Sequence, residues 1–119
     1  MHLSEEQTAF YDVAKDFALK KMAPNAEKWD EEKIFPVETL QELAALGFGG
    51  IYVNPDLGGS GLSRFDASLI FEALSQGCTS TSAFLSIHNM AAWMISKYGS
   101  NYHFDNYLPK LLSMESISS

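Results

Sequence analysis

Cysteine and histidine, which most readily do nucleophilic or acid–base chemistry near neutral pH, are few in this chain: one cysteine and three histidines. His2, His88 and His103 have no metal-ligand spacing among themselves or with Cys78, so no metal site is predicted. His88 lies in an apolar helical pattern, where a hydrogen-bonded core or interface histidine is the commoner case. Cys78 lies at a predicted helix start, where a thiol can become acidic, but no base is within reach in the sequence. We therefore predict structural roles for both and no catalytic residue.

A glycine-rich segment is the most distinctive local feature. Six of the eight glycines fall in the fifteen residues from Gly47 to Gly61. The segment lacks the final glycine of a serine nucleophile elbow, the third glycine of a dinucleotide fingerprint and the lysine of a P-loop. Because glycine permits positive φ and close backbone approach, the cluster predicts a loop of defined shape. It predicts no cofactor-binding residue.

Composition and charge exclude several classes of protein. Fifteen acidic residues against eight basic ones give a net charge of −7, which argues against nucleic acid as a partner. The 119 residues suit one domain, and a hydrophobic content of 46% is enough for a core. No apolar run is long enough to span a membrane. No signal or transit peptide is visible, which predicts a cytosolic chain or a mature form whose targeting segment has been removed.

Hydrophobic periodicity predicts helices before the glycine loop. Ser4 with Gln7 forms a capping-box pattern, and Pro24 predicts a break after the first helix. Pro36 suits the first turn of a further helix, which Gly47 ends. The residues predicted to face the core are Phe10, Val13, Ala14, Phe17, Ala18 and Met22 in the first helix, Trp29 in a short acidic helix, and Val37, Leu40, Leu43, Ala44 and Leu46 in the next.

The pattern after the loop is also helical. Ser63 can cap a helix closed by Gly77, and a longer helix then runs to Tyr98. Residues 101–112 predict a final helix. The inward positions are Leu69, Ile70, Ala73 and Leu74 in the first of these helices and Phe84, Leu85, Ile87, Met90, Ala91, Met94, Ile95 and Tyr98 in the second. The chain is predicted to be all-α, an antiparallel helical bundle of five or six helices.

A series of short motifs occurs in unbroken order along essentially the whole chain. They are Leu3-Ser4-Glu5-Glu6-Gln7, Ala23-Pro24 with Trp29-Asp30, Phe35-Pro36, Leu46-Gly47-Phe48-Gly49-Gly50-Ile51, Gly58-Gly59-Ser60-Gly61-Leu62-Ser63, Phe71-Glu72-Ala73-Leu74, Gly77-Cys78-Thr79-Ser80-Thr81, Ser86-Ile87-His88-Asn89-Met90 and Tyr107-Leu108-Pro109-Lys110-Leu111. In this order they resemble the N-terminal domain of the acyl-CoA dehydrogenase family. The segments around Cys78 and His88 most resemble the subgroup that oxidises isobutyryl-CoA in valine breakdown.

The resemblance implies a three-part flavoprotein, with this N-terminal helical domain, a middle β domain and a C-terminal helical domain. FAD and the acyl-CoA thioester would lie between the parts, and a glutamate of the C-terminal domain would remove the α proton. Electron-transfer flavoprotein would accept the electrons, and the full-length protein would be a homo-oligomer in the mitochondrial matrix. The implied flavin loop and glutamate lie beyond Ser119, so residues 1–119 are predicted to form the N-terminal domain alone and to be inactive by themselves.

The resemblance also implies a substrate-binding role for the long helix near its centre. Ser86, Ile87 and Met90 would line the acyl pocket, and the bulk of Ile87 and Met90 would shorten it to suit a short branched acyl group. Two other functions fit the same sequence. One is a non-catalytic truncated isoform or helical interaction module, and the other is an acyl-CoA oxidase, which shares the fold and passes electrons to oxygen.

Overall fold

Six α-helices follow one another along the described part of the chain, and no β-strand occurs in it. The computed structural model describes residues 3–100, 102 and 106–115. The helices are α1 (Glu5–Phe17), α2 (Ala23–Glu31), α3 (Val37–Leu43), α4 (Arg64–Ser75), α5 (Thr79–Tyr98) and α6 (Leu108–Leu112). The prediction of an all-α fold is confirmed. Of the predicted final helix, residues 108–112 are helical, and Asn101 lies outside the described residues.

Two capping boxes begin the helices that carry the main packing. In each, a serine hydroxyl accepts a hydrogen bond from a backbone N–H three residues on, and that residue's side chain accepts one from the serine N–H. The box at Ser4 and Gln7 was expected, and Asp66 completes a second one at Ser63. The Gln7 amide also donates to Asp66 at 2.8 Å, which joins the starts of α1 and α4 and lowers the pKa of Asp66.

Helices α1 and α4 lie side by side and run in the same direction. Their starts meet at Gln7 and Asp66, and beyond their far ends the backbone of Ala18 lies against Gly77. A Cβ atom on Gly77 would overlap the Ala18 carbonyl oxygen, so a glycine is required here by close approach. Its φ is not positive, and α4 ends at Ser75, so Gly77 is not the left-handed cap that the sequence suggests.

The next pair, α4 and α5, is antiparallel, as predicted. Ser75 at the end of α4 contacts Ser82 near the start of α5, whereas Arg64 at the start of α4 lies over Trp93. The parallel α1–α4 pair departs from the predicted antiparallel order. The long connection through α2 and α3 returns the chain to the end from which α1 began, so α4 repeats the direction of α1.

The predicted break at Pro24 is wrong. The chain stays helical from α1 into α2 through a π-helical turn, Ala18–Met22, and Ala23 has helical dihedral angles. Pro24 lies in the first turn of α2, where its missing N–H costs little. The wider π turn before it relieves the clash between the proline ring and the preceding backbone.

The main core lies where α1, α3, α4 and α5 meet. Its buried members are Ala14, Phe17, Ala18, Met22, Leu40, Leu43, Phe48, Ile51, Ala67, Ile70, Ala73, Leu74, Leu85 and Met114. Trp29 packs against this core, as predicted. Three residues predicted to be buried, Val13, Val37 and Leu46, are at least 41% exposed. The hydrophobic stripes of α1 and α3 are therefore wider than the surface that their neighbours cover.

Candidate functional site

Helix α5 buries polar side chains and exposes apolar ones. Its buried residues are Thr81, Ser82, Leu85, His88, Asn89 and Ala92. Ile87, Met94 and Tyr98 are 50%, 53% and 72% exposed. The prediction that these three face the core is wrong, because α5 turns the opposite side toward the glycine loop and α6. A long helix with an uncovered apolar face is typical of a domain that meets another surface.

Asn89 anchors the glycine loop to α5. Its side-chain oxygen accepts the N–H of Ile51 at 2.7 Å, and its amide nitrogen donates to the carbonyl oxygens of Phe48 and Leu85, both at 2.9 Å. The side chain is fully buried, so these bonds replace water completely. One asparagine thus satisfies loop groups that lie 38 and 41 residues away in sequence.

His88, the residue before Asn89, likewise links α5 to other segments by hydrogen bonds from a buried side chain. Its ring is fully buried, and Nε2 donates to the carbonyl oxygen of Leu111 in α6 at 2.8 Å. The ring also bonds to the backbone of Gly49 in the loop. Burial lowers the pKa of His88, and the two backbone bonds oppose this shift only in part. The prediction of a hydrogen-bonded core histidine is confirmed.

The glycine loop uses its amide groups internally. The N–H groups of Val53 and Ser60 bond to the Gly50 carbonyl at 3.3 and 3.0 Å, and that of Leu62 bonds to Ile51 at 2.8 Å. Residues 51–53 form turns and a bend within this network. A phosphate-binding loop needs free N–H groups that point at the ligand. The loop therefore does not fit the pyrophosphate of a flavin nucleotide, and we derive no step of flavin chemistry from it.

The three residues predicted to line an acyl pocket lie together on α5, outside the buried side. Ile87 is half-exposed, and Ser86 and Met90 are half-buried. Residues 86, 87 and 90 share one helix face by their spacing. Since the domain itself covers this face only in part, it is open to a ligand or to a neighbouring domain.

A cationic and aromatic cluster borders this face. The Arg64 guanidinium lies over the rings of Tyr52 and Trp93 at 5.4 and 5.5 Å, and Nη1 is 3.7 Å from the sulfur of Met90. Lys97 lies over Trp93 at 5.0 Å. Residue spacing in the sequence does not predict this cluster. Its members come from three separate segments, and a cation over a ring leaves no spacing signal in the sequence.

A cavity of about 560 Å³ lies between α2, the α2–α3 connection and the start of α5. Trp29, Phe35 and Phe84 supply its aromatic walls, with the last two rings 4.5 Å apart. Cys78 lines the cavity and is half-buried, and its sulfur accepts a hydrogen bond from the Thr81 hydroxyl at 3.2 Å. Glu27 and Asp30 line the same cavity, and the structural role of Cys78 stays a prediction.

Over the described residues, no group of histidine, cysteine, aspartate and glutamate side chains could hold a metal ion. None of the described helices is long and apolar enough to cross a bilayer.

Comparison with known sequences identifies the family. The sequence model described as the acyl-CoA dehydrogenase N-terminal domain matches residues 4–115. The chain belongs to the acyl-CoA dehydrogenase family. The resemblance carried by the short motifs is thereby confirmed, and it extends over nearly all of the residues that the structure describes.

Individual acyl-CoA dehydrogenases narrow the relationship. Mitochondrial isobutyryl-CoA dehydrogenase of Bos taurus is 52% identical over 119 residues, covering 100% of this chain and 29% of that protein. The protein of the same name from Dictyostelium discoideum is 56% identical over 117 residues, covering 98% and 28%. The solved FAD complex of PigA has the same fold, with a TM-score of 0.89 and 31% identity over 98% of this chain and 31% of that one. The chain thus spans under a third of the length of these relatives.

Proposed function

We propose that residues 1–119 form the N-terminal helical domain of a FAD-dependent dehydrogenase that acts on a short branched acyl-CoA, isobutyryl-CoA in particular. The observation that carries the proposal is the identity of 52% with the Bos taurus isobutyryl-CoA dehydrogenase along the whole chain. The middle β domain and C-terminal helical domain would lie outside this chain. We further propose a location in the mitochondrial matrix, because the Bos taurus and Dictyostelium discoideum relatives are mitochondrial. A homo-oligomer that passes electrons to electron-transfer flavoprotein is proposed from the family resemblance.

The role of this chain in the reaction would be to bind and orient the acyl group. FAD, held by the complete protein, would supply the hydride acceptor. Ile87 and Met90 would close the acyl end of the pocket and exclude water from it, and Ser86 would lie beside them. Each buried CH₂ group contributes about 0.8 kcal/mol, so side chains that shorten the pocket favour a short acyl group by a graded amount.

A chimera tests this proposal. This chain would replace the matching 119 residues of the Bos taurus enzyme, and kcat/KM would be measured with isobutyryl-CoA and with straight-chain hexanoyl-CoA. The unmodified chimera should prefer isobutyryl-CoA. The double change Ile87→Gly with Met90→Ala should raise the ratio of hexanoyl-CoA to isobutyryl-CoA activity by about tenfold or more, since it opens space worth several methylenes.

Met94→Ala is the matched control, because Met94 lies on α5 and is exposed but is outside the proposed pocket wall. It should leave the substrate ratio unchanged. Loosening of the core would lower both rates together, so the ratio is the informative quantity. An active chimera whose ratio does not respond to the double change would contradict the pocket assignment. A correctly folded chimera that oxidises no acyl-CoA would contradict the proposed function.

The chain alone should be inactive. The amides of the glycine loop are bonded internally, and the flavin loop and base glutamate that the family resemblance implies would belong to other domains, so the parts that position a flavin and a thioester would not be assembled. Purified chain mixed with FAD should lose its yellow colour on desalting. It should also not reduce an artificial electron acceptor with isobutyryl-CoA faster than free FAD does.

A further inference from the structure

Arg64 occupies an unusual position for an exposed arginine in an acidic protein. Within the described residues its guanidinium has no carboxylate partner; the ion pair found there joins Lys20 to Asp16. Two aromatic rings, of Tyr52 and Trp93, and the sulfur of Met90 surround the guanidinium. The guanidinium therefore contacts two ring faces, on which a planar cation stacks well, and one polarisable sulfur atom.

One of these three contacts is made with a flexible side chain, that of Met90. Methionine has three rotatable side-chain bonds and adapts to irregular spaces, so Met90 by itself would define the end of a pocket poorly. The arginine approaches Met90 from the start of α4, while Trp93 lies one turn further along α5. The Met90 side chain is thus bordered by a group whose own position is held by two rings.

We propose that Arg64 is a positioning residue that holds Met90 in one conformation and so sets the depth of the acyl pocket. The inference rests on the proposed function, because it assigns a determinant of substrate choice to that same pocket. Arg64 lies on a different helix from the pocket residues and would act through Met90, not by touching the substrate.

Lys97 provides an internal comparison. Its ammonium lies over Trp93 at 5.0 Å and over Tyr98 at 5.7 Å, whereas the hydrogen bond to the Met90 sulfur comes from Arg64. Lys97→Gln therefore removes one positive charge and one cation–π contact with Trp93, and it leaves Arg64 in place beside Met90. Arg64→Gln removes the same charge together with the Met90 contact. Arg64→Lys keeps the charge but lacks the planar group.

Two measurements test the inference. In the folded chimera, NMR of methyl-labelled methionine should show the Met90 signal moving, in Arg64→Gln, toward the chemical shift of a side chain that averages over its rotamers. The signal should stay in place in Lys97→Gln. In the chimera with the Bos taurus enzyme, Arg64→Gln should raise the ratio of hexanoyl-CoA to isobutyryl-CoA kcat/KM by about three- to tenfold. Arg64→Lys should give an intermediate ratio, and Lys97→Gln should give the unmodified one.

The outcomes separate this inference from the proposed function. An active chimera in which Arg64→Gln leaves the ratio unchanged, or in which Lys97→Gln shifts it equally, would overturn the positioning role only. A Met90 signal that ignores Arg64→Gln would overturn it as well, and this measurement needs no turnover. An unmodified chimera without activity would contradict the proposed function, and the NMR result would still decide whether Arg64 holds Met90.

Discussion

At the scale of single residues, the buried side chain of Asn89 links α5 to the glycine loop by hydrogen bonds. Asn89→Ala would leave the N–H of Ile51 and the carbonyl of Phe48 buried without partners. The free energy of unfolding should fall by about 2–4 kcal/mol. Urea unfolding followed by circular dichroism measures it. Asn25→Ala is the control, because Asn25 is exposed and makes one 3.2 Å bond to the carbonyl of Lys21 in the preceding turn. Equal midpoints for both variants would contradict the anchoring role.

His88 makes stability depend on pH. Burial lowers its pKa below the ordinary value of 6.5, so the unfolded chain binds this proton more readily than the folded chain. The contribution of His88 to the free energy of unfolding should be complete above that value and should be lost as the pH falls below it.

His88→Gln, which keeps a donor but does not titrate, provides the comparison for this dependence. The difference between its unfolding free energy and that of the unmodified chain should change between about pH 7.5 and about pH 5.5. His2 and His103 are present in both proteins, so their titration cancels. Parallel pH profiles would show that the proton on His88 does not matter for folding.

At the scale of helices, the contact between the π turn after α1 and the end of α4 depends on one missing side chain. Gly77→Ala would drive a Cβ atom into the Ala18 carbonyl, and backbone atoms cannot rotate away. The change should destabilise the fold by about 1–3 kcal/mol, as overpacking does. Thermal unfolding measures it against Ser80→Ala, an exposed position nearby that should change stability by less than about 0.5 kcal/mol. Equal melting temperatures would mean that α1 and α4 can move apart freely.

At the scale of the whole molecule, the apolar face of α5 is the surface most in need of a partner. Ile87, Met94 and Tyr98 project from it, so the isolated chain should bind a hydrophobic dye and associate at micromolar concentration. Ile87→Glu with Met94→Glu should reduce both effects without lowering the melting temperature. Thr8→Glu with Ser80→Glu adds the same charge at exposed polar positions and should change neither. If the unsubstituted chain is a monomer that binds no dye, the apolar face of α5 does not require a partner surface.

Local patterns in the sequence determined much of this fold. The serine caps of α1 and α4, the inward positions Ile70, Ala73 and Leu74, and the reversal at Gly47 with its φ of 97° all follow from residue type and spacing. The motifs also identified the family, since they occur in order along one chain. These features depend on neighbours within a few residues, so the physical rules that govern them act on the sequence directly.

Tertiary structure alone decided which side of α5 faces inward. Hydrophobicity places Ile87, Met94 and Tyr98 in the core, but the buried positions belong to His88 and Asn89. Their partners are backbone groups of a loop and a helix that come near only in the folded chain, 23 to 41 residues away. Burying a polar side chain is favourable only where such partners are already in place, and a sequence pattern does not contain that information.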